Sequence, residues 1–298
     1  MASRRKWGHP IAAAVAPFLV AGLAACGALS LGEMQTEDEA SAAQEHELIR
    51  VVTCWAGLPL MEELAAAFLS QRPDLFFDLE AVDSQQAEER LRRGQAELAL
   101  VIRPYNPASG QALLQEDDRE LAPTLLALDA LGIAVHERNP LGDLPAKEVA
   151  RLFEGYYLDW SLLGGTEGRP ELLTREAGAT TRELLEHTLM DGESVSSAAR
   201  VMPHDRGILA YIREHELAIG YVSRAWAQGR EGSGIKLVAI DGVAPLPTAL
   251  RRGTYPLTYA LVLLRSPQAP SAIQPFIDFC LQPQTRRLNQ ARYVLPQR

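Results

Sequence analysis

Three short apolar runs separated by two segments of helical spacing constrain the fold of this chain more than any other feature. Leu48–Thr53 is β-branched and reads as a strand. Pro59 then opens a stretch with apolar residues at Leu60, Leu64, Ala67 and Phe68, which line one face of a helix, and Arg72-Pro73 closes it. Phe76–Ala81 predicts a second strand, Gln85–Arg93 a charged helix, and Leu98–Ile102 a buried third strand. Strands joined through helices run parallel, with the helices packed on the sheet. Strands are further expected at Leu131–Val135, Ala218–Val222, Ile235–Ile240 and Tyr255–Leu264. Helices are expected at Pro145–Phe153, Thr180–Met190 with Thr180 as cap, Arg206–His215 with Asp205 at its start, Ala272–Leu281 and Gln284–Arg292. That is too many elements for one simple sheet, and the fold class expected is α/β in two lobes.

The first 47 residues do not belong to that pattern. Arg4, Arg5 and Lys6 precede an uncharged apolar run from Ile11 to Ala25, which ends in Leu23-Ala24-Ala25-Cys26. A positive start, an apolar middle and small residues before a cut describe a secretory signal. The small-small-Cys ending resembles the lipobox of bacterial lipoproteins, in which the cysteine is diacylated and becomes the first residue. A single membrane helix over Ile11 to Gly32 is the competing reading. Both place the globular part outside the cytoplasmic membrane. Residues 26–47 read as a solvated tether, because 33–47 hold six acids and no Lys or Arg. The whole chain carries −9; with +3 in the leader and −6 in the tether, the folded body is left at −6. This mild acidity argues against nucleic acid as a partner, since phosphate contacts along a duplex need clustered cations.

Several separated stretches resemble the solute-binding lipoproteins of phosphate ABC importers, the PstS family. Ile133-Ala134-Val135 with Asn139-Pro140, Leu152-Phe153-Glu154-Gly155 and Asp159-Trp160 match one region of it. Ala218-Ile219-Gly220-Tyr221-Val222, Asp241-Gly242-Val243-Ala244-Pro245, Tyr255-Pro256-Leu257 and Phe276-Ile277-Asp278-Phe279 match others, in the family's order. The resemblance implies a type II periplasmic-binding-protein fold, two lobes joined by two crossing strands near 131–139 and 255–264. It divides the chain into a lipoprotein signal at 1–25, the tether at 26–47, a first part of lobe 1 at 48–130, a hinge strand and lobe 2 at 131–254, and a return strand completing lobe 1 at 255–298. It also implies a monomer with a membrane permease as partner, anchored by lipid at Cys26, with phosphate or a related oxyanion as ligand and no cofactor.

In that family the anion lies between the lobes on helix N-termini, where free N–H groups and the helix dipole hold it. The first binding loop corresponds here to Thr53-Cys54-Trp55-Ala56, where a thiol, an indole and a methyl replace hydroxyls. The pair after the third strand is Ile102-Arg103, and the second-lobe loop is Arg175-Glu176-Ala177-Gly178-Ala179-Thr180-Thr181. The implied ligand set is Trp55, Ala56, Arg103, Arg175, Gly178, Ala179, Thr180 and Thr181. Each has a plain alternative: Arg103 as an isolated surface charge, Arg175 paired with Glu176, Trp55 as an inter-lobe contact. Cys54 and Cys280 read as buried apolar residues, with a disulfide between them left open.

No metal spacing, nucleophile elbow or P-loop occurs, so a hydrolase lacks its parts and the chain is not read as an enzyme. Two functions stand: a solute-binding protein of an importer, or a binding-protein-fold lipoprotein that no longer transports and acts as a sensor or interaction module. The lost hydroxyls favour the second, because each hydrogen bond to a charged group contributes ~1.5–3 kcal/mol.

Overall fold

The computed structural model describes residues 3–7, 47–271, 273–288 and 290–296. The leader's apolar run and Cys26 lie outside the described residues. In chain order the elements are β1 (Ser3–Trp7), β2 (Glu47–Cys54), α1 (Leu58–Leu69), β3 (Leu75–Val82), α2 (Ser84–Arg92), β4 (Leu98–Asn106), β5 (Gln111–Ala112) and β6 (Thr124–His136). There follow β7 (Asp143–Leu144), α3 (Ala146–Phe153), β8 (Glu171–Thr174), α4 (Thr180–Leu189), β9 (Arg200–Val201), α5 (Asp205–Glu214) and β10 (Ala218–Ser223). The last are α6 (Arg224–Ala227), β11 (Ile235–Ile240), α7 (Pro247–Arg252), β12 (Thr258–Arg265), α8 (Ile273–Leu281) and α9 (Pro283–Leu288).

Strands are hydrogen-bonded in the order β1-β3-β2-β4-β12-β6-β10-β8-β9, with β11 also on β6. The parallel β2–β3 and β2–β4 pairs are those expected from the opening alternation. Their central residues are buried on both faces, as parallel strands under helices must be. Residues 3–7, within the segment read as the leader, lie antiparallel along the outer edge of β3.

One strand joins the halves. β6 runs unbroken from Thr124 to His136, longer than the Leu131–Val135 strand expected. Its first half pairs with β12 in lobe 1, and Leu131–Val135 pairs with β10 in lobe 2. The return crossing lies just before β12, where Leu131 N–H donates to the Leu257 carbonyl at 2.9 Å. Tyr255 seals the same place, its hydroxyl donating to the Leu131 carbonyl at 3.1 Å.

Each lobe has an aromatic centre. In lobe 1, Phe68, Phe77 and Phe276 meet between α1, β3 and α8, with Phe77 and Phe276 centroids 4.9 Å apart. In lobe 2, Trp160 is fully buried and donates its indole N–H to the Leu217 carbonyl at 2.9 Å. Cys54 and Cys280 are both free and buried. Burial raises the Cys54 thiol to about 12, so it is an inert packing group rather than a nucleophile.

Candidate functional site

The N-termini of α2 and α4 meet where the lobes meet. Gly178 turns the chain into α4 with φ of +82°, a conformation that glycine adopts without strain. The residue at the N-cap of α4 is Ala179, not Thr180, and a methyl group cannot accept from the helix's first N–H groups. The acceptor comes from the other lobe. Asp83, at the N-cap of α2, takes the Thr180 backbone N–H on Oδ2 at 2.9 Å and the Thr180 hydroxyl on Oδ1 at 2.8 Å. The same Oδ1 accepts from Gln85 N–H of its own helix at 3.2 Å. One carboxylate therefore caps two helices from opposite lobes. Beside it, the Gln85 amide donates to Glu183 of α4 at 3.3 Å.

The next residue on α4 is left with capacity to spare. Thr181 is buried, and its hydroxyl has no hydrogen-bond partner.

Arg175 is buried behind this junction. Its guanidinium forks onto Glu176 at 2.9 and 3.0 Å, with Asp205 at 3.9 Å. Burial pulls its pKa down, but Glu176, Asp205 and nearby Asp83 outweigh that and the group is raised. Asp205 sits at the first position of α5 and accepts Ser223 N–H at 2.7 Å. Burial still lifts its carboxyl above the usual range. The N-cap of α5 is His204 rather than Asp205, with Nδ1 accepting Gly207 N–H at 3.0 Å. Burial also lowers the His204 imidazole.

Arg103 belongs elsewhere. It is buried, not a surface charge, with both Asp118 oxygens at 2.6 Å, Glu88 at 2.8 Å and the Ile102 carbonyl at 3.0 Å. None of these partners is shared with Arg175, so the two guanidiniums form separate clusters and do not grip one point together. Trp55 is an inter-lobe contact. Its ring lies 4.9 Å from that of His204, and its carbonyl accepts from the Trp226 indole at 2.8 Å. The Ala56 carbonyl is taken by the Tyr293 hydroxyl at 2.9 Å. A cavity of about 170 Å³ remains beside Trp55, His204, Arg206 and Trp226. A larger one of about 610 Å³, near Arg169, Arg200 and Tyr211, lies in lobe 2 and contains none of the expected residues.

Of the expected set, the structure thus gathers Gly178, Ala179, Thr180, Thr181 and Arg175 around one point, with Trp55 on the adjoining lobe contact and the Ala56 carbonyl held within lobe 1 by Tyr293. Asp83 was missed. Its signal was local: an Asp immediately before a charged helix is an N-cap. That it serves a second helix 97 residues away leaves no trace in sequence. Among the described residues, no group of three His, Cys, Asp or Glu side chains could hold a metal ion.

Two α/β lobes on a shared strand, with facing helix N-termini between them, define a periplasmic-binding-protein domain. Residues 38–284 match the PBP superfamily domain, and the chain belongs to that superfamily. More particularly, it is 22% identical over 265 residues to the phosphate-binding protein PstS of Bacillus subtilis, covering 86% of this chain and 83% of that one. Its fold resembles that of a protein described as a phosphate ABC transporter substrate-binding protein, with bound phosphate, from Clostridium perfringens. The TM-score is 0.74 at 20% identity, over 84% of this chain and all of the other. An ABC-type phosphate transport receptor from Vibrio cholerae has a TM-score of 0.64 at 21% identity, over 83% of this chain and all of the other.

Proposed function

We propose that this chain is an extracytoplasmic, lipid-anchored solute-binding protein of the phosphate-importer type, with an oxyanion of the phosphate class as ligand and an ABC permease as partner. The ligand position is the start of α4, at the Thr180 amide and hydroxyl, with Thr181 and the Arg175 charge beside it. One observation carries this reading: an anionic group, the Asp83 carboxylate, is seated across the lobe junction on those donors. A position that organises two donors around a carboxylate has the chemistry an oxyanion needs. The family's phosphate-binding relatives support the ligand class, and the Ala25-Cys26 ending supports the anchor. Among the described residues no helix is long and apolar enough to cross a membrane. Titration calorimetry with inorganic phosphate, on the wild type and on chains altered at Asp83, tests the ligand; loss of membrane association in Cys26→Ser tests the anchor.

A second reading, a sensor or interaction lipoprotein that no longer transports, is favoured by a different observation. Arg103 and Arg175 are both neutralised by the protein's own carboxylates. Phosphate uptake by cells lacking the gene separates the two: unchanged uptake supports the sensor reading.

A further inference from the structure

The cleft already contains an anion, and it is part of the chain. We propose that the Asp83 carboxylate is an intramolecular competitor for the cleft's ligand: an oxyanion binds only after Asp83 has left Thr180, and Asp83 thereby sets the affinity and selectivity of the site. This rests on the reading of the α4 N-terminus as the anion position.

Four observations lead there. Asp83 takes both the first N–H of α4 and the Thr180 hydroxyl, the donors an incoming anion would use. The N-cap residue Ala179 offers no side-chain acceptor for them. The Thr181 hydroxyl, buried at the second position of α4, has no partner. The Asp83 carboxylate already accepts three hydrogen bonds on its two oxygens, whereas a tetrahedral oxyanion brings four oxygens and more acceptors for Thr181. The charges then allow only one anion at a time. The cations of this cluster are Arg175 and Arg182, and they are already paired, Arg175 with Glu176 and Asp205 and Arg182 with Glu186. A phosphate added beside a resident Asp83 would meet like charge, whereas a phosphate replacing it would inherit its donors.

The exchange also has a mechanical side. Asp83 rides on α2 in lobe 1 and Thr180 on α4 in lobe 2, so the carboxylate latches the lobes in the absence of ligand. With the latch removed, closure depends on the ligand, which is the condition under which binding drives a lobe movement.

The test is calorimetric titration of inorganic phosphate into the full-length wild type, Asp83→Ala and Asp83→Asn. Asn retains an acceptor for the Thr180 N–H and guards against a variant that fails to fold; circular dichroism and a cooperative melt verify folding of each. The expected result is phosphate binding at least about tenfold tighter in the variants than in the wild type, the size of removing one charge-assisted competitor. If the wild type binds as tightly as the variants or more so, the competition is overturned while the anion site stands. If none of the folded proteins binds at roughly 10 mM phosphate, enough to saturate a site of ~1 mM dissociation constant, the anion reading of the cleft falls and the competition with it.

Discussion

Replacing Arg103 with methionine decides whether that arginine serves the fold or the ligand. Its side chain is 3% exposed, and it faces Asp118 at 0% and Glu88 at 8%. Methionine keeps much of the volume and removes the charge. It leaves two buried carboxylates that had shared three charge-assisted hydrogen bonds. Breaking one side of such a cluster costs about 3–5 kcal/mol, because the carboxylates stay desolvated with only Arg92 left on Glu88 and the Gln115 N–H left on Asp118. The folded-to-unfolded ratio should fall by roughly two to four powers of ten. Urea unfolding at pH 7.5 reads this directly. Adding Asp118→Asn to the Arg103→Met variant should return at least about 1 kcal/mol, since it removes one stranded charge. The pH profile gives an independent check. Burial raises the Asp118 carboxyl, but the Arg103 bonds outweigh it and the net shift is downward from 3.8. A depressed carboxyl stabilises the fold above its ordinary range and loses that contribution as the pH falls below it. Wild-type stability should therefore drop below about pH 4, and R103M should lose this part of the acid sensitivity. A loss below ~1 kcal/mol, or unchanged stability with abolished phosphate binding, would refute the reasoning and return Arg103 to the ligand site.

Asp129 gives the opposite sign. It is buried on the crossing strand, bonded by Ser223 and Tyr259, and burial raises its carboxyl to about 6 from 3.8. The folded state then holds its proton more tightly than the unfolded chain. Stability falls as the pH rises from about 4 through 6, by about 3 kcal/mol for this group. Asp129→Asn should remove that slope in urea titrations from pH 4 to 8; parallel curves would contradict the assignment. Phe276→Ala should lower stability by about 3–5 kcal/mol, because Phe276 joins Phe68 and Phe77 at the centre of lobe 1. Trp226→Phe removes the indole bond to the Trp55 carbonyl. It should cost about 1 kcal/mol and loosen the lobe contact, seen as faster hydrogen exchange at residues 55–57.

The regular elements were legible because each was decided locally. Helical spacing from Pro59 and the apolar runs at Leu98 and Ile235 depend on neighbours a few residues away, and the observed elements begin within a residue or two of those positions. The first half of β6 was not legible, because Asp129 interrupts its apolar run and is tolerated only through Ser223 and Tyr259 from distant strands. β8, Glu171–Thr174, is four residues long and becomes a strand only by pairing with β10 on one side and β9 on the other. The site divided the same way. Gly178 to Thr181 could be placed because Arg175–Thr181 resembles the second-lobe binding loop of the PstS family. The direction of Arg103 could not, because its partners lie 15 residues away on both sides. Asp83 shows the limit most sharply. Its role at α2 is written beside it, and its role at α4 exists only when the lobes close.

The central claim is that the lobe junction at Thr180 is an anion position that Asp83 now fills. A crystal structure of Asp83→Ala grown with arsenate, a tetrahedral anion whose arsenic scatters anomalously, tests it most directly. The account predicts an anomalous peak between the starts of α2 and α4, with an arsenate oxygen about 3 Å from the Thr180 nitrogen. A peak at Arg103, or a well-ordered junction with no peak at all, would contradict it.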